Sequence, residues 1–339
     1  MADDANLHSV RLTVVDALEG FYVTLIVDCL HREGVLDDLA AGASAASIAR
    51  ARAFEPRVLS ELLEYVALRC DLVDRAGDGS FSVAPAHRRS TAHLMDQYVG
   101  GFGPCLRDLS AVLRDAQAGV SRVDVRRHAA AFAHTDGLVS APEIVRLADE
   151  LGIGVLLDIG CGGGQLLVEI AARRPDFTGI GMDANPSVVA AARDYVARRG
   201  FAERIRIVCG DALEAARDLS GEDRAAVDAI AAVSVANAYA AGYAGRTIDD
   251  FLRRLQALFP NRIVFLSDYY GRLGAVRDEP ERFQRTLVHD VAQVVSAQGV
   301  PPADADAWGA IYERTACTLV AVYEGETEGI RRFLHIVQL

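Results

Sequence analysis

The sequence predicts an α/β protein, a Rossmann-like, doubly wound parallel sheet preceded by a mostly helical region. Three observations carry that prediction. Residues 155–183 read as an apolar run, a glycine-rich turn, a helical pattern and a second apolar run ending in an acid, which is the order of a βαβ unit. Further short strand-like runs follow at 206–212, 227–235 and 263–268, separated by stretches long enough for helices. Before the unit, Val10, Val14, Val15, Leu18, Tyr22, Leu25 and Ile26 fall near helical spacing.

Taken in order, residues 1–90 form a first domain. Its helices run from 8 to 75, and residues 71–85 (DLVDRAGDGSFSVAP) read as a hairpin turning at Gly77-Asp78-Gly79. Helices followed by a small hairpin suggest a winged-helix-like domain. Residues 91–150 read as a helical connector. It holds a flexible aromatic-flanked stretch, Tyr98-Val-Gly-Gly-Phe102, and His128, Phe132 and His134 shortly before the first sheet strand. For each of these histidines a structural role is the simpler expectation. Residues 151–339 form the sheet domain. A charge-rich insertion over 269–302 ends at Pro301-Pro302, Trp308 lies in a helix, and residues 317–324 and 331–338 read as a terminal hairpin.

The glycine turn sets the chemistry. Gly160, Gly162, Gly163 and Gly164 follow a strand that ends on Asp158. Glycine permits positive φ and has no Cβ, so backbone can approach a ligand closely. A dinucleotide site would set a pyrophosphate against the helix N-terminus. An acid directly before the turn repels phosphate and suits an ammonium or sulfonium group. Asp183, at the tip of the second strand, stands about where a βαβ unit carries its ribose-binding carboxylate.

The stretch D-I-G-C-G-G-G at 158–164 resembles the first motif of class I S-adenosylmethionine (SAM) methyltransferases. The resemblance implies a seven-stranded sheet whose last two strands form a hairpin, with SAM as the cofactor. Asp158, Gly160, Gly162 and Gly164 would lie beside its methionine part. Asp183, followed by Ala184, would hold both ribose hydroxyls. Asp211, followed by Ala212, would accept the adenine amino group, and Ser234 would close the fourth strand beside the cofactor. The whole layout is similar to two-domain small-molecule O- and C-methyltransferases, α-keto-acid C-methyltransferases among them. In those enzymes the N-terminal domain dimerises and the connector covers SAM, so the resemblance implies a homodimer and a small-molecule substrate.

Methyl transfer requires an aligned nucleophile and, for a hydroxyl or carbon acid, removal of a proton. Many resembling O-methyltransferases carry L-H-D-W after the fourth strand, with that His as base. Here Asn237 and Ala238 occupy the His and Asp positions, and an amide is no base at neutral pH. His289-Asp290 is similar to a His-Asp pair of the C-methyltransferases, where both places together can hold a metal. One of the two is lost here, so no metal is expected. The catalytic candidates are Asn237, His289, Tyr239 and Tyr269, with Asp268 and Tyr270 beside them at the strand end. The expectation is a SAM-dependent methyltransferase acting on a small polar metabolite of specialised metabolism. The alternatives are a SAM-consuming enzyme that cyclises SAM or transfers its aminocarboxypropyl group, and a SAM-binding regulator.

Composition narrows the partners. The 339 residues carry a formal net charge of −12, with a pI of about 5.2. An acidic chain lacks the basic footprint of nucleic-acid binding and is unsuited to an anionic membrane. Six cysteines without a C-x-x-C pair suggest a reducing, cytoplasmic setting and no zinc. The start MADDANLHSV shows neither a basic n-region nor an apolar core, and no apolar run reaches spanning length.

Overall fold

The computed structural model describes residues 12–133, 141–242, 246–276, 280–327 and 329–339. The chain divides into two compact units, one of Met1–Asp108 and Arg122–Asp136, the other of Leu109–Ser121 and Gly137–Leu339.

The first unit is helical. Its long helix Val14–Arg32 opens on a capping box, in which Asp16 N–H donates to Thr13 Oγ1 at 3.1 Å and Thr13 N–H to Asp16 Oδ2 at 2.8 Å. Two otherwise orphaned amides are thereby satisfied. Val27 and Leu30 join Leu36, Leu39, Leu59, Leu63 and Val66 in the core. The predicted hairpin is present as β1 (Asp74–Arg75) and β2 (Phe81–Ser82), paired antiparallel. The stretch expected to be flexible is instead a π-helix, Met95–Gly101, closed by Phe102 N–H donating to Gln97 O at 3.0 Å. Its glycines serve close approach. A Cβ on Gly100 would run into Arg127, and one on Gly101 would lie 3.0 Å from His128 Cβ. Arg127, whose helix Val125–Ala133 packs there, donates to the buried carboxylates of Asp28 (2.8 Å) and Asp96 (2.9 Å). Half-buried His128 has its pKa pushed down to about 4 by desolvation and meets Phe102 edge-on at 5.0 Å. The Phe132 side chain and His134 lie outside the described residues.

The second unit is a three-layer α/β sandwich. Its strands are β3 (Val155–Ile159), β4 (Thr178–Asp183), β5 (Ile205–Cys209), β6 (Ala229–Val233), β7 (Ile263–Tyr269), β8 (Thr318–Thr327) and β9 (Ile330–Gln338). They lie in the order β5-β4-β3-β6-β7-β9-β8. The first five are parallel, and β9 pairs antiparallel with both β7 and β8. Period-two alternation sorts the side chains. Leu157, Ile159, Ile230, Ala232, Val264 and Leu266 meet helices Ile248–Leu258 and Ala305–Arg314 on one face. Leu156, Ala229, Ala231, Val233 and Phe265 meet helices Ala141–Glu150, Gln165–Arg173 and Pro186–Arg198 on the other.

The strand order places the site. From β3 the chain steps outward through β4 to β5, then returns to lay β6 on the other side of β3. The carboxyl ends of β3 and β6 therefore flank the topological switch point, where open α/β sheets bind ligands.

Candidate functional site

The glycine turn occupies the β3 side of that crevice. Gly160, Gly162 and Gly164 have φ of 66°, 52° and 78°, a region that L-residues enter at a cost. A Cβ on Gly160 would also run into Val235 Cγ2, so this glycine lets the loop after β6 close down on the turn. Backbone amides of Gly160 and Cys161 both donate to Met182 O, at 2.7 and 3.0 Å, tying the turn to β4. The cradle without Cβ atoms that a bulky cofactor needs is thus present.

Acids line it. Asp158 is 3% exposed, and burial, with the Asp183 carboxylate nearby, pushes its pKa up to about 8. Such a carboxyl gains most from an arriving cation, whose charge restores ionisation. Asp183 is half-buried, and desolvation raises it as well. Its Oδ2 accepts Gly162 N–H at 3.2 Å and its Oδ1 accepts Asn185 N–H at 2.9 Å. Each oxygen keeps a second lone pair, which suits a vicinal diol. Ala184 follows in an exposed bend. Asp211 caps a short 3-10 turn through Leu213 N–H at 2.8 Å, while its Oδ2 takes Arg246 Nη1 at 2.8 Å. Ala212 is buried in the core behind it. Tyr239 stacks on Phe251 at 4.9 Å. Asp158, Asp183 and Asp211 thus stand at the carboxyl ends of three neighbouring strands, β3, β4 and β5, with Asp183 bonded to the glycine turn.

The loop after β6 closes the other side. Ser234 has φ of 54° and donates its N–H to Ser267 O at 2.7 Å. Ser234 and Ser267 also line a cavity of about 290 Å³ with Tyr323, Glu324 and Arg332. Asn237, 3% exposed, is held on three sides. Its N–H donates to Asp268 Oδ2 at 3.0 Å, and its Nδ2 donates to Gln293 Oε1 at 2.8 Å and Gln298 Oε1 at 3.0 Å. Gln293 Nε2 lies 3.3 Å from His289 Nε2. An amide nitrogen only donates, so the imidazole nitrogen there is the acceptor. Tyr269 meets the His289 ring edge-on at 4.6 Å and donates its hydroxyl to Asp290 Oδ1 at 2.8 Å. Asp290 Oδ2 takes the N–H groups of Arg272 and Leu273 at 2.7 and 2.8 Å. Buried Asp268 is pushed up to about 6 by desolvation, against the opposing pull of the Tyr269 and Asn237 amides and Arg332.

Asn237, His289 and Tyr269 thus share one buried polar network, whereas Tyr239 stands near the Asp211–Arg246 pair, its pKa raised by desolvation and then by Asp211. Sequence reasoning missed Gln293, Gln298 and Arg246. Gln293 had a signal, since it lies four positions after His289 on the same helix, Gln284–Val295, and so on the same face. Gln298 and Arg246 sit outside regular elements and had none. Among the described residues no group of three or more His, Cys, Asp or Glu is placed to hold a metal.

Comparison with known proteins agrees with the geometry. Residues 156–257 match a family model described as a methyltransferase domain. The methyltransferase ungE' of Aspergillus campestris is 48% identical over 60 residues, which is 17% of this chain and 17% of that protein. The chain thus spans about a sixth of the length of that relative. Solved structures align over nearly the whole chain. The mitomycin 7-O-methyltransferase MmcR superposes with a TM-score of 0.71 at 19% identity, over 96% of this chain and 97% of that one. The O-methyltransferase NcsB1 from neocarzinostatin biosynthesis, solved with SAM and 2-hydroxy-5-methyl naphthoic acid, gives 0.65 at 17% identity over 98% and 100%. At such identities the likeness is one of fold. The chain has the two-domain fold of these solved methyltransferases, and its residues 156–257 match the methyltransferase-domain model.

Proposed function

We propose that the chain is a SAM-dependent methyltransferase that modifies a small polar metabolite in specialised metabolism. The observation that carries this reading is the pairing of buried Asp158 with Asp183 around a turn of positive-φ glycines at the switch point of the sheet. SAM supplies a methyl group on a sulfonium, already a good leaving group. Asp158 would answer the positive charge of its aminoacyl end, Asp183 the ribose hydroxyls and Asp211 the adenine amino group. Arg246 holds Asp211 Oδ2 in this structure, so it competes with, or flanks, that contact.

Among the described residues, neither Asn237 nor His289 offers the network a strong base. Asn237 is an amide, and the His289 Nε2 lone pair is directed at Gln293. The acceptor therefore arrives with its lone pair already available, as a free amine, an enolate or a carboxylate does. The structural neighbours, O-methyltransferases for mitomycin and from neocarzinostatin biosynthesis, support a small metabolite as the substrate. We further propose that the protein works in the cytoplasm as a homodimer, through the apolar outer face of its N-terminal helix.

The test is mass-spectrometric detection of nucleoside products. Pure protein with SAM alone should leave SAM intact. Adding amines, α-keto acids or bicyclic aromatic acids in turn should yield S-adenosylhomocysteine with one of them. Methylthioadenosine formed catalytically without acceptor would instead assign the site to cyclisation or aminocarboxypropyl transfer.

A further inference from the structure

Asn237 carries an unbalanced hydrogen-bond account. Its Nδ2 donates to two glutamine carbonyls, and its backbone N–H is held by Asp268. Its Oδ1 is buried and meets no donor among the described residues. A carbonyl left so is destabilising and uncommon in native proteins. The orientation is not arbitrary. Turning the amide over would set Oδ1 against the carbonyl oxygens of Gln293 and Gln298. Relieving that clash would require both glutamines to turn and His289 to carry its proton on Nε2, three coupled changes. Gln293 and Gln298 are therefore positioning residues. They commit the amide so that an oxygen, and not an NH2, is left over in the loop that closes on the glycine turn.

A carbonyl oxygen repels an anion and accepts from a donor. A phenolate, enolate or carboxylate would bring its own lone pairs against Oδ1. A neutral hydroxyl could donate to it, but its proton would then rest on an amide that cannot take it. A neutral amine alone can donate one N–H to Oδ1 and still hold out a lone pair. Resting on the methyltransferase reading above, we infer that the acceptor is a neutral amine and that Asn237 Oδ1 holds it by an N–H. The amine lone pair then forms the N–C bond as the sulfur–methyl bond breaks, and the electron pair of that bond stays on sulfur. The nitrogen becomes a cationic ammonium and afterwards releases a proton to water, so no enzymic base is needed.

The experiment uses a matched pair of probes, 1-naphthylamine, which donates an N–H, and 1-methoxynaphthalene, which only accepts, titrated calorimetrically into the full-length protein saturated with S-adenosylhomocysteine. The wild type should bind the amine about tenfold more tightly than the ether, the worth of one buried hydrogen bond. Asn237→Leu should abolish that preference. With SAM in place of the product, any methylated product should be the N-methyl amine, with 1-naphthol offered in parallel left unmethylated. Equal binding of the two probes by the wild type, no binding of the amine, methylation of 1-naphthol, or preference for the ether overturns the inference. The last result would mean the amide stands reversed. The wild-type comparison is decisive even where Asn237→Leu folds poorly, and Gln298→Leu, which loosens the amide without removing Oδ1, should reduce the preference only in part. Failure of S-adenosylhomocysteine itself to bind would instead strike the cofactor assignment, so the two failures are told apart.

Discussion

At the scale of residues, the acids of the crevice carry the sharpest expectations. Asp183→Ala removes a half-buried carboxylate whose free lone pairs are the proposed ribose contacts. Charge-assisted hydrogen bonds contribute roughly 1.5–3 kcal/mol each, so SAM affinity should fall by about 100-fold or more. Titration calorimetry with S-adenosylhomocysteine measures this directly, and unchanged affinity would remove Asp183 from the site. Asp158 yields a pH prediction. Its folded pKa is raised to about 8, well above an ordinary carboxyl, so the folded ligand-free chain holds that proton more tightly than the unfolded chain does. The resulting stability is complete below the unfolded value and is lost as pH climbs toward about 8. Binding of a cationic aminoacyl group runs the other way, because it needs the ionised form. SAM affinity should therefore rise between pH 6 and 8 with proton release, seen as a buffer-dependent binding enthalpy, and Asp158→Asn should flatten the profile. Asp158, Asp183 and Asp211 were legible in the sequence because each sits at a strand end beside a recognisable turn. Gln298 was not, because its meaning comes from a contact with Asn237 across 61 positions of chain, and Gln293 showed only its helical spacing from His289.

At the scale of elements, the glycine turn and the loop after β6 depend on each other. Gly160→Ala should bring roughly 1–2 kcal/mol of left-handed backbone strain, plus the collision of its Cβ with Val235. Gly200→Ala separates the two terms, since Gly200 also has positive φ (80°) but nothing within 4 Å of an added Cβ. Denaturant unfolding should show Gly160→Ala as the more destabilised variant, and only Gly160→Ala should weaken SAM binding. Equal losses in both would mean that the loop does not press on the turn. The strands of the sheet were readable because they are apolar runs of β-branched and aliphatic residues between helical spacers. The π-helix at Met95–Gly101 was not. Its two adjacent glycines signal freedom when read locally, and only the neighbouring Arg127 and His128 show that they were needed for close packing.

At the scale of the whole molecule, the question is what covers the helix Val14–Arg32. Val27 and Leu30 bury one side of it in the core of its unit. On the other side Val14, Leu18, Phe21, Tyr22 and Leu25 recur at three- and four-residue spacing, with exposures from 42% for Leu25 to 86% for Val14. Nineteen residues make a rod of about 28 Å at 1.5 Å per residue, long enough to contribute much of one side of a standard interface. An apolar stripe of that length on a chain with net charge −12 argues for an apolar partner. Two copies meeting helix to helix satisfy both stripes at once, with desolvation outweighing a like-charge repulsion that salt screens. The wild type should therefore sediment as a dimer at micromolar concentration, with little weakening as salt is raised. Leu18→Glu combined with Phe21→Glu would place four like carboxylates on facing stripes, and this variant should sediment as a monomer with its helical circular dichroism and S-adenosylhomocysteine affinity intact. A monomeric wild type would leave the stripe to a different partner. A dimeric double variant would move the interface to another surface of the chain.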